Sequence, residues 1–180
     1  MNIERQIYKF GTTFVSIIGA NAIAAKDSGA VIDDLRRISN KVSVQAIDAN
    51  IIYGIEHLLE VLKITLQSER RRIMVAKNPE TDLLLRLSYT NQISFALKYG
   101  GMKNNANCCF VIFSKDKDEL LKVNDYINRF FKADNSVLKP NSEKKMRISS
   151  KIGLKSSPLL FDDDFTFMRF ILERSCLITR

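Results

Sequence analysis

The sequence predicts an α/β fold in which a mixed sheet is packed with several helices. Two short runs rich in β-branched residues, Thr13–Gly19 and Val42–Ile47, are typical of buried strands, and Cys108–Phe113 predicts another. The segments between and after these runs carry apolar residues at helical spacing. Because 180 residues can bury one hydrophobic core, we expect residues 1–180 to form a single compact domain.

Two helices are predicted in the first third of the chain. Residues 30–40 form one amphipathic helix, and residues 49–66 form a longer one that the carboxylate of Asp48 can cap. The longer helix has a broad apolar stripe that we expect to face the core. This stripe consists of Ile51, Ile52, Ile55, Leu58, Leu59, Leu62 and Leu66.

A second apolar face lies roughly opposite that stripe. At about 100° per residue, Tyr53, His57, Val61 and Ile64 fall on this second face. A helix that is apolar on two sides must be covered twice, either within the fold or by a partner. We predict that these four residues bind a partner protein, with burial inside the fold as the alternative.

The middle of the chain predicts two short helices. Asn78 and Pro79 form a start signal, because proline fits the first helical position. Asp82 and Arg86 lie one turn apart, on the side that we expect to face solvent. Thr90 can cap the second helix.

Gly100 ends this second helix. Its apolar residues Ile93, Ala96 and Leu97 predict an inner stripe, and Phe95 and Tyr99 fall on the other side.

The last third of the chain contains a strongly basic segment. Residues 118–131 predict an amphipathic helix, and residues 162–164, all aspartate, suit the start of the last one. Between them, residues 134–157 carry six Lys and Arg against two acids and show no apolar period. We interpret 134–157 as an extended or mobile basic segment. Within it, Met146, Ile148 and Ile152 would suit a short strand.

The overall charge favours a polyanionic partner. A net charge of +8 and a pI near 9.5 fit RNA or an acidic protein surface, although the charge could also serve solubility alone. The amino terminus lacks the pattern of a signal peptide, and no apolar run reaches the roughly 20 residues of a membrane span. We therefore expect a soluble protein of the cytoplasm, or also of the nucleus in a eukaryotic host.

The sequence offers no recognisable catalytic or metal-binding set. It contains neither a phosphate-binding glycine loop nor a kinase motif, and His57 is its single histidine. A zinc site would require Cys176 and His57 to meet a strand cysteine, and residues 162–164 are explained more simply as a helix start. We predict no catalytic residue, no metal, no cofactor and no small-molecule substrate.

Cations and aromatic residues are concentrated in the middle of the chain. The residues that we predict to bind RNA are Arg70, Arg71, Arg72, Lys77, Arg86, Asn91, Phe95, Lys98, Tyr99 and Lys103. Exposed aromatic rings can stack on unpaired bases while neighbouring cations hold phosphates. A competing interpretation buries both aromatic rings under a neighbouring helix and treats the three arginines as a solvated turn. The residues alone favour that competing interpretation.

The order of motifs between Val42 and Phe113 resembles one family. A helix containing Glu56-His57-Leu58-Leu59 precedes a leucine-rich helix, a helix that starts with Gln92-Ile93-Ser94, and the Gly100-Gly101 turn. The chain is similar in this region to the kinase-binding accessory subunit of the KEOPS complex, which makes threonylcarbamoyladenosine in tRNA.

The resemblance implies a subunit without an active site of its own. Such a subunit would bind the small atypical kinase/ATPase of the complex and recruit tRNA through its unpaired 3′ CCA end. The kinase and the catalytic subunit would supply the nucleotide and metal chemistry. Two other classes stay open: an enzyme with a polar cleft, and a generic basic protein–protein adaptor without RNA recognition.

Overall fold

A computed structural model describes residues 6–21, 28–154, 161 and 163–179. Contacts between Cα atoms divide the chain into two compact units. Unit 1 consists of Met1–Ala49 and Gly101–Val137, and unit 2 of Asn50–Gly100 and Leu138–Arg180. The α/β class is confirmed, and the single domain stays a prediction.

Unit 1 is built on a four-stranded sheet. Its strands are β1 (Ile7–Phe10), β2 (Thr13–Ala20), β3 (Val42–Asp48) and β4 (Cys108–Ser114). They lie in the order β1-β2-β4-β3, and every described pairing is antiparallel, so the expectation of a mixed sheet was wrong. The three predicted strands are confirmed as β2, β3 and β4. The prediction missed β1 because it has only four residues, half-buried for the most part, at the sheet edge.

Two helices of unit 1 contribute to the core of the sheet. They are α1 (Ser28–Ile38) and α5 (Lys117–Phe130), and both match predicted helices. Leu35 of α1 and Val123 of α5 belong to the same buried cluster as Phe110 of β4. Both strand cysteines are buried, and burial together with the nearby Asp48 carboxylate raises the pKa of Cys108 to about 12.

Unit 2 is helical. Its helices are α2 (Ile55–Arg71), α3 (Pro79–Leu87), α4 (Ile93–Gly100), α6 (Ser142–Lys151) and α7 (Asp164–Cys176). The predicted starts of α3 and α7 are confirmed: Asn78 precedes α3, and the Asp163 carboxylate accepts a hydrogen bond from the Thr166 amide at 2.7 Å. Asp162 lies outside the described residues. No helix in the described ranges has the length and apolarity needed to cross a membrane.

The long helix starts later than predicted. A 3-10 helix covers Ala49–Ile51, and α2 begins only at Ile55, after Gly54. Gly54 has a φ of 96°, which favours glycine, and a Cβ atom there would lie 3.2 Å from the Cγ atom of Pro140. Asp48 is the last residue of β3 and pairs with Lys103, so it does not cap α2.

Much of the described part of the basic segment is helical, with a 3-10 helix at Asn135–Leu138 and α6 at Ser142–Lys151, so the short strand suggested for Met146, Ile148 and Ile152 was wrong. Residues 155–157 of the segment lie outside the described residues. Asn141 caps α6 by accepting a hydrogen bond from the Lys144 amide at 2.8 Å. The buried residues of this helix are Lys144, Ile148 and Ser149, whereas Met146 is exposed. The apolar period was hidden because two of these three buried positions are a lysine and a serine.

Candidate nucleic-acid and partner surfaces

The four residues predicted to form a second apolar face are largely covered within the fold, and the first of them, Tyr53, precedes the start of α2. Tyr53, His57 and Val61 are buried, and Ile64 is half-buried. The Tyr53 ring meets the Phe167 ring of α7 edge-on at 4.8 Å, and the Tyr53 hydroxyl donates to Oδ1 of Asp164 at 2.5 Å. The structure therefore supports the alternative of burial within the fold, and this face offers a partner no continuous surface.

His57 is held neutral in this covered face. The Tyr53 amide donates to Nδ1 of His57 at 3.2 Å, so the ring proton lies on Nε2. Burial and the nearby Lys144 ammonium lower the pKa of His57 to about 3. A histidine that stays neutral at physiological pH is a poor proton shuttle. Among the described residues, no group of three or more His, Cys, Asp or Glu side chains is placed to hold a metal.

Arg86 is buried, contrary to the predicted solvent-facing position. Its Nε donates to Oδ2 of Asp82 at 2.7 Å, and its two Nη atoms donate to the Ser175 carbonyl and the Ser68 hydroxyl. The second oxygen of Asp82 accepts from the Val75 amide at 2.6 Å. Arg86 therefore holds α2, α3 and α7 together and cannot reach a phosphate. An Asp–Arg pair one turn apart is typical of a solvated face, which is why the sequence was misleading here.

Helix α4 buries only its small residues. Ala96 and Gly100 are buried, and a Cβ atom on Gly100 would lie 2.5 Å from Oγ of Ser88. Ile93 and Leu97, which were expected to form the inner stripe, are 51% and 53% exposed. The close approach that glycine permits brings the helix backbone inward and leaves its larger side chains outside.

The other side of α4 carries an aromatic–cation surface, which we define as Phe95, Lys98, Tyr99, Arg147 and Lys151. Phe95 is 55% exposed, one turn before the half-buried Tyr99. The Lys151 ammonium lies 4.8 Å from the centre of the Tyr99 ring, and the Arg147 guanidinium lies 5.4 Å from it. The Arg147 Nη2 atom also donates to the Tyr99 carbonyl at 3.2 Å.

The α4 members of this surface were predicted from the sequence, but the two cations of α6 were not. The basic segment was expected to be extended or mobile, and neither form gives a register between Arg147 and Tyr99. The helical spacing of Arg147 and Lys151, one turn apart, was the signal that could have revealed the pair.

The remaining predicted RNA-binding residues lie elsewhere. Arg70, Arg71 and Arg72 are exposed at the end of α2. This helix of 17 residues is about 25 Å long, and α6, through Lys144 beside His57, lies near its other end. The three arginines thus belong to the end of α2, whereas the aromatic–cation surface belongs to α4 and α6.

Lys77 and Asn91 are also exposed in unit 2, and the Asn91 side-chain amide donates to the Thr179 carbonyl at 3.5 Å. Lys103 belongs to unit 1, where its ammonium lies 3.3 Å from Oδ2 of Asp48. The RNA-binding roles of these residues stay predictions.

Comparison with known families gives a match. A family model described as kinase binding protein CGI-121 matches residues 23–147, well over half of the chain. A search of curated proteins found no match.

Proposed function

The chain belongs to the CGI-121 family of kinase-binding proteins, and from this premise we propose that it recruits tRNA to its kinase. In this proposal it is a non-catalytic accessory subunit of the KEOPS complex, acting in threonylcarbamoyladenosine synthesis in the cytoplasm or nucleus. It binds the single-stranded 3′ CCA end of tRNA, and the partner subunits carry out the chemistry. The aromatic–cation surface is the observation that carries the RNA part of the proposal.

This surface has the composition that an unpaired RNA end requires. The exposed Phe95 ring offers a face on which one base can stack, and Lys98 is exposed on the same helix. Arg147 and Lys151 place two more cations beside Tyr99, one turn further along. Stacking contributes about 1–3 kcal/mol per base without sequence preference, and phosphate contacts add salt-dependent affinity.

The neutral, buried His57 agrees with an accessory role, because this histidine is a poor proton shuttle. A generic basic adaptor would bind the kinase equally well but would not distinguish an intact tRNA from one that lacks its unpaired end. This difference decides between the two functions.

We expect Phe95→Ala to weaken binding of intact tRNA by about tenfold, because it removes one stacking face. Lys98→Ala should lower the salt dependence by about one released counterion. The measurement is a titration of the purified protein with intact tRNA and with tRNA trimmed of its terminal CCA, at several salt concentrations.

Phe165→Ala is the matched control. Phe165 is 63% exposed on α7 with Arg169 over its ring at 5.9 Å, so this variant loses a similar aromatic–cation pair outside the surface. We expect it to bind both RNAs as the wild type does. The Arg70/Arg71/Arg72→Ala triple variant should keep its preference for the intact end. Equal wild-type affinity for both RNAs would refute end recognition and favour the adaptor.

A further inference from the structure

We propose that the kinase docks on the apolar end of unit 2, which we define as Ile73, Ile93, Leu97 and Leu177. This inference rests on membership of the kinase-binding family, and it uses the proposed RNA function only to explain why the two surfaces are separate. The four side chains are 60%, 51%, 53% and 67% exposed. Large exposed apolar side chains that lie close together mark protein–protein interaction sites.

Hydrogen bonds bring the four residues to the same end of unit 2. The Asn91 side chain binds the Thr179 carbonyl, so the residues around Leu177 lie beside the start of α4 at Ile93. Arg86 binds both the Ser175 carbonyl and the Ser68 hydroxyl, which brings the ends of α7 and α2 together.

The Ile73 amide in turn donates to the Ser68 carbonyl at 2.9 Å. Ile73 is therefore held at the end of α2, on the same side of unit 2 as the end of α7.

Helix α4 separates this end from the aromatic–cation surface. Ile93 and Leu97 are one turn apart on one flank, and Phe95 and Tyr99 are one turn apart on another. Residues two positions apart on a helix lie roughly 200° around its axis and cannot contact the same flat partner. A protein on the Ile93 flank therefore leaves the Phe95 flank accessible.

The charges around the apolar end favour a kinase over a second copy of this chain. Arg70, Arg71 and Arg72 directly precede Ile73, and Arg174 lies near the end of α7, all four exposed. Two acids, Glu69 and Glu173, lie beside them in the sequence. In a symmetric dimer this basic rim would meet its own copy, since an isologous interface joins identical patches, and like charges would repel. The occupant that fits is a kinase surface with an apolar centre and an acidic rim.

The test is the affinity of the full chain for the separately purified KEOPS kinase of the same host. We expect Ile93→Asp to weaken binding at least about thirtyfold, the loss typical of a central interface residue. Aspartate at the first residue of a helix suits the helix dipole, so this variant should fold normally. Leu177→Asp should weaken kinase binding too. The triple arginine variant should associate more slowly and with weaker salt dependence.

Met146→Asp is the matched control, because Met146 is 53% exposed on α6, outside the apolar end. We expect it to bind the kinase normally, and we expect Ile93→Asp to keep wild-type tRNA affinity. Unchanged kinase affinity in both Ile93→Asp and Leu177→Asp, or an equal loss in Met146→Asp, would overturn the docking proposal. If the wild-type protein binds intact tRNA and CCA-trimmed tRNA equally well, only the proposed RNA function is refuted. The kinase affinities of the variants still decide the docking proposal.

Discussion

Replacing Arg86 with methionine is expected to lower the free energy of unfolding by about 3–5 kcal/mol. The substitution leaves the Asp82 carboxylate, which is fully buried, without its opposite charge at 2.7 Å. It also removes the donors to Ser68 and Ser175 and so disconnects the ends of α2 and α7. Urea denaturation followed by circular dichroism measures the loss.

Arg37→Met is the control for this prediction, because Arg37 pairs with Asp34 in an exposed i,i+3 ion pair. Removing an exposed pair costs at most about 1 kcal/mol. The Asp82→Leu/Arg86→Met double variant should recover part of the stability, since no unpaired charge then stays buried. If Arg86→Met costs no more than Arg37→Met, the Arg86 network does not hold the helices together.

Mild acid is expected to destabilise the protein through His57. The pKa of His57 is lowered to about 3 in the folded state, against 6.5 for an ordinary histidine, so the unfolded chain binds the proton first. Stability is therefore full above about pH 6.5 and falls progressively as the pH decreases towards about 3. At about pH 4.5 the expected loss relative to neutral pH is about 3 kcal/mol.

His57→Gln serves as the comparison, because glutamine can still accept a hydrogen bond from the Tyr53 amide but does not titrate. Asp134 and Asp163, whose pKa values are lowered by hydrogen bonds to Ser136 and Thr166 respectively, lose their contribution only at lower pH. Parallel stability–pH curves for wild type and His57→Gln between about pH 7 and pH 4.5 would contradict the assignment.

The sequence predicted those parts of the fold that follow from periodicity. The strands β2, β3 and β4 were recognisable because β-branched or aromatic residues fill them and they are largely buried. Helix α6 was not recognisable, because the buried methylene groups of Lys144 replace an apolar side chain in its inner stripe. Burial of a long cationic side chain depends on tertiary contacts that periodicity does not report.

The candidate surfaces were predictable only in part. Phe95 and Lys98 are exposed, as the predicted RNA-binding role requires, although the residues alone had favoured burial of Phe95. The two cations of α6 join the surface only because residues 142–151 form a helix. The exposure of Ile93 and Leu97 follows from Ala96 and Gly100, whose small size decides which side of α4 approaches Ser88 and Ile51. The number of apolar residues on each side of a helix does not reveal which side allows close backbone contact.

The most direct test of whether α4 carries separate surfaces for kinase and tRNA is to measure tRNA binding to protein that is saturated with kinase. The measurement is a titration of the protein–kinase complex with intact tRNA and with tRNA lacking its terminal CCA, compared with the same titrations of the free protein. If the two surfaces of α4 are independent, the complex will bind intact tRNA at least as tightly as the free protein and will keep its preference for the intact end. If adding kinase displaces tRNA from the free protein, the two partners compete for one surface, and the proposal of two independent surfaces on α4 is wrong.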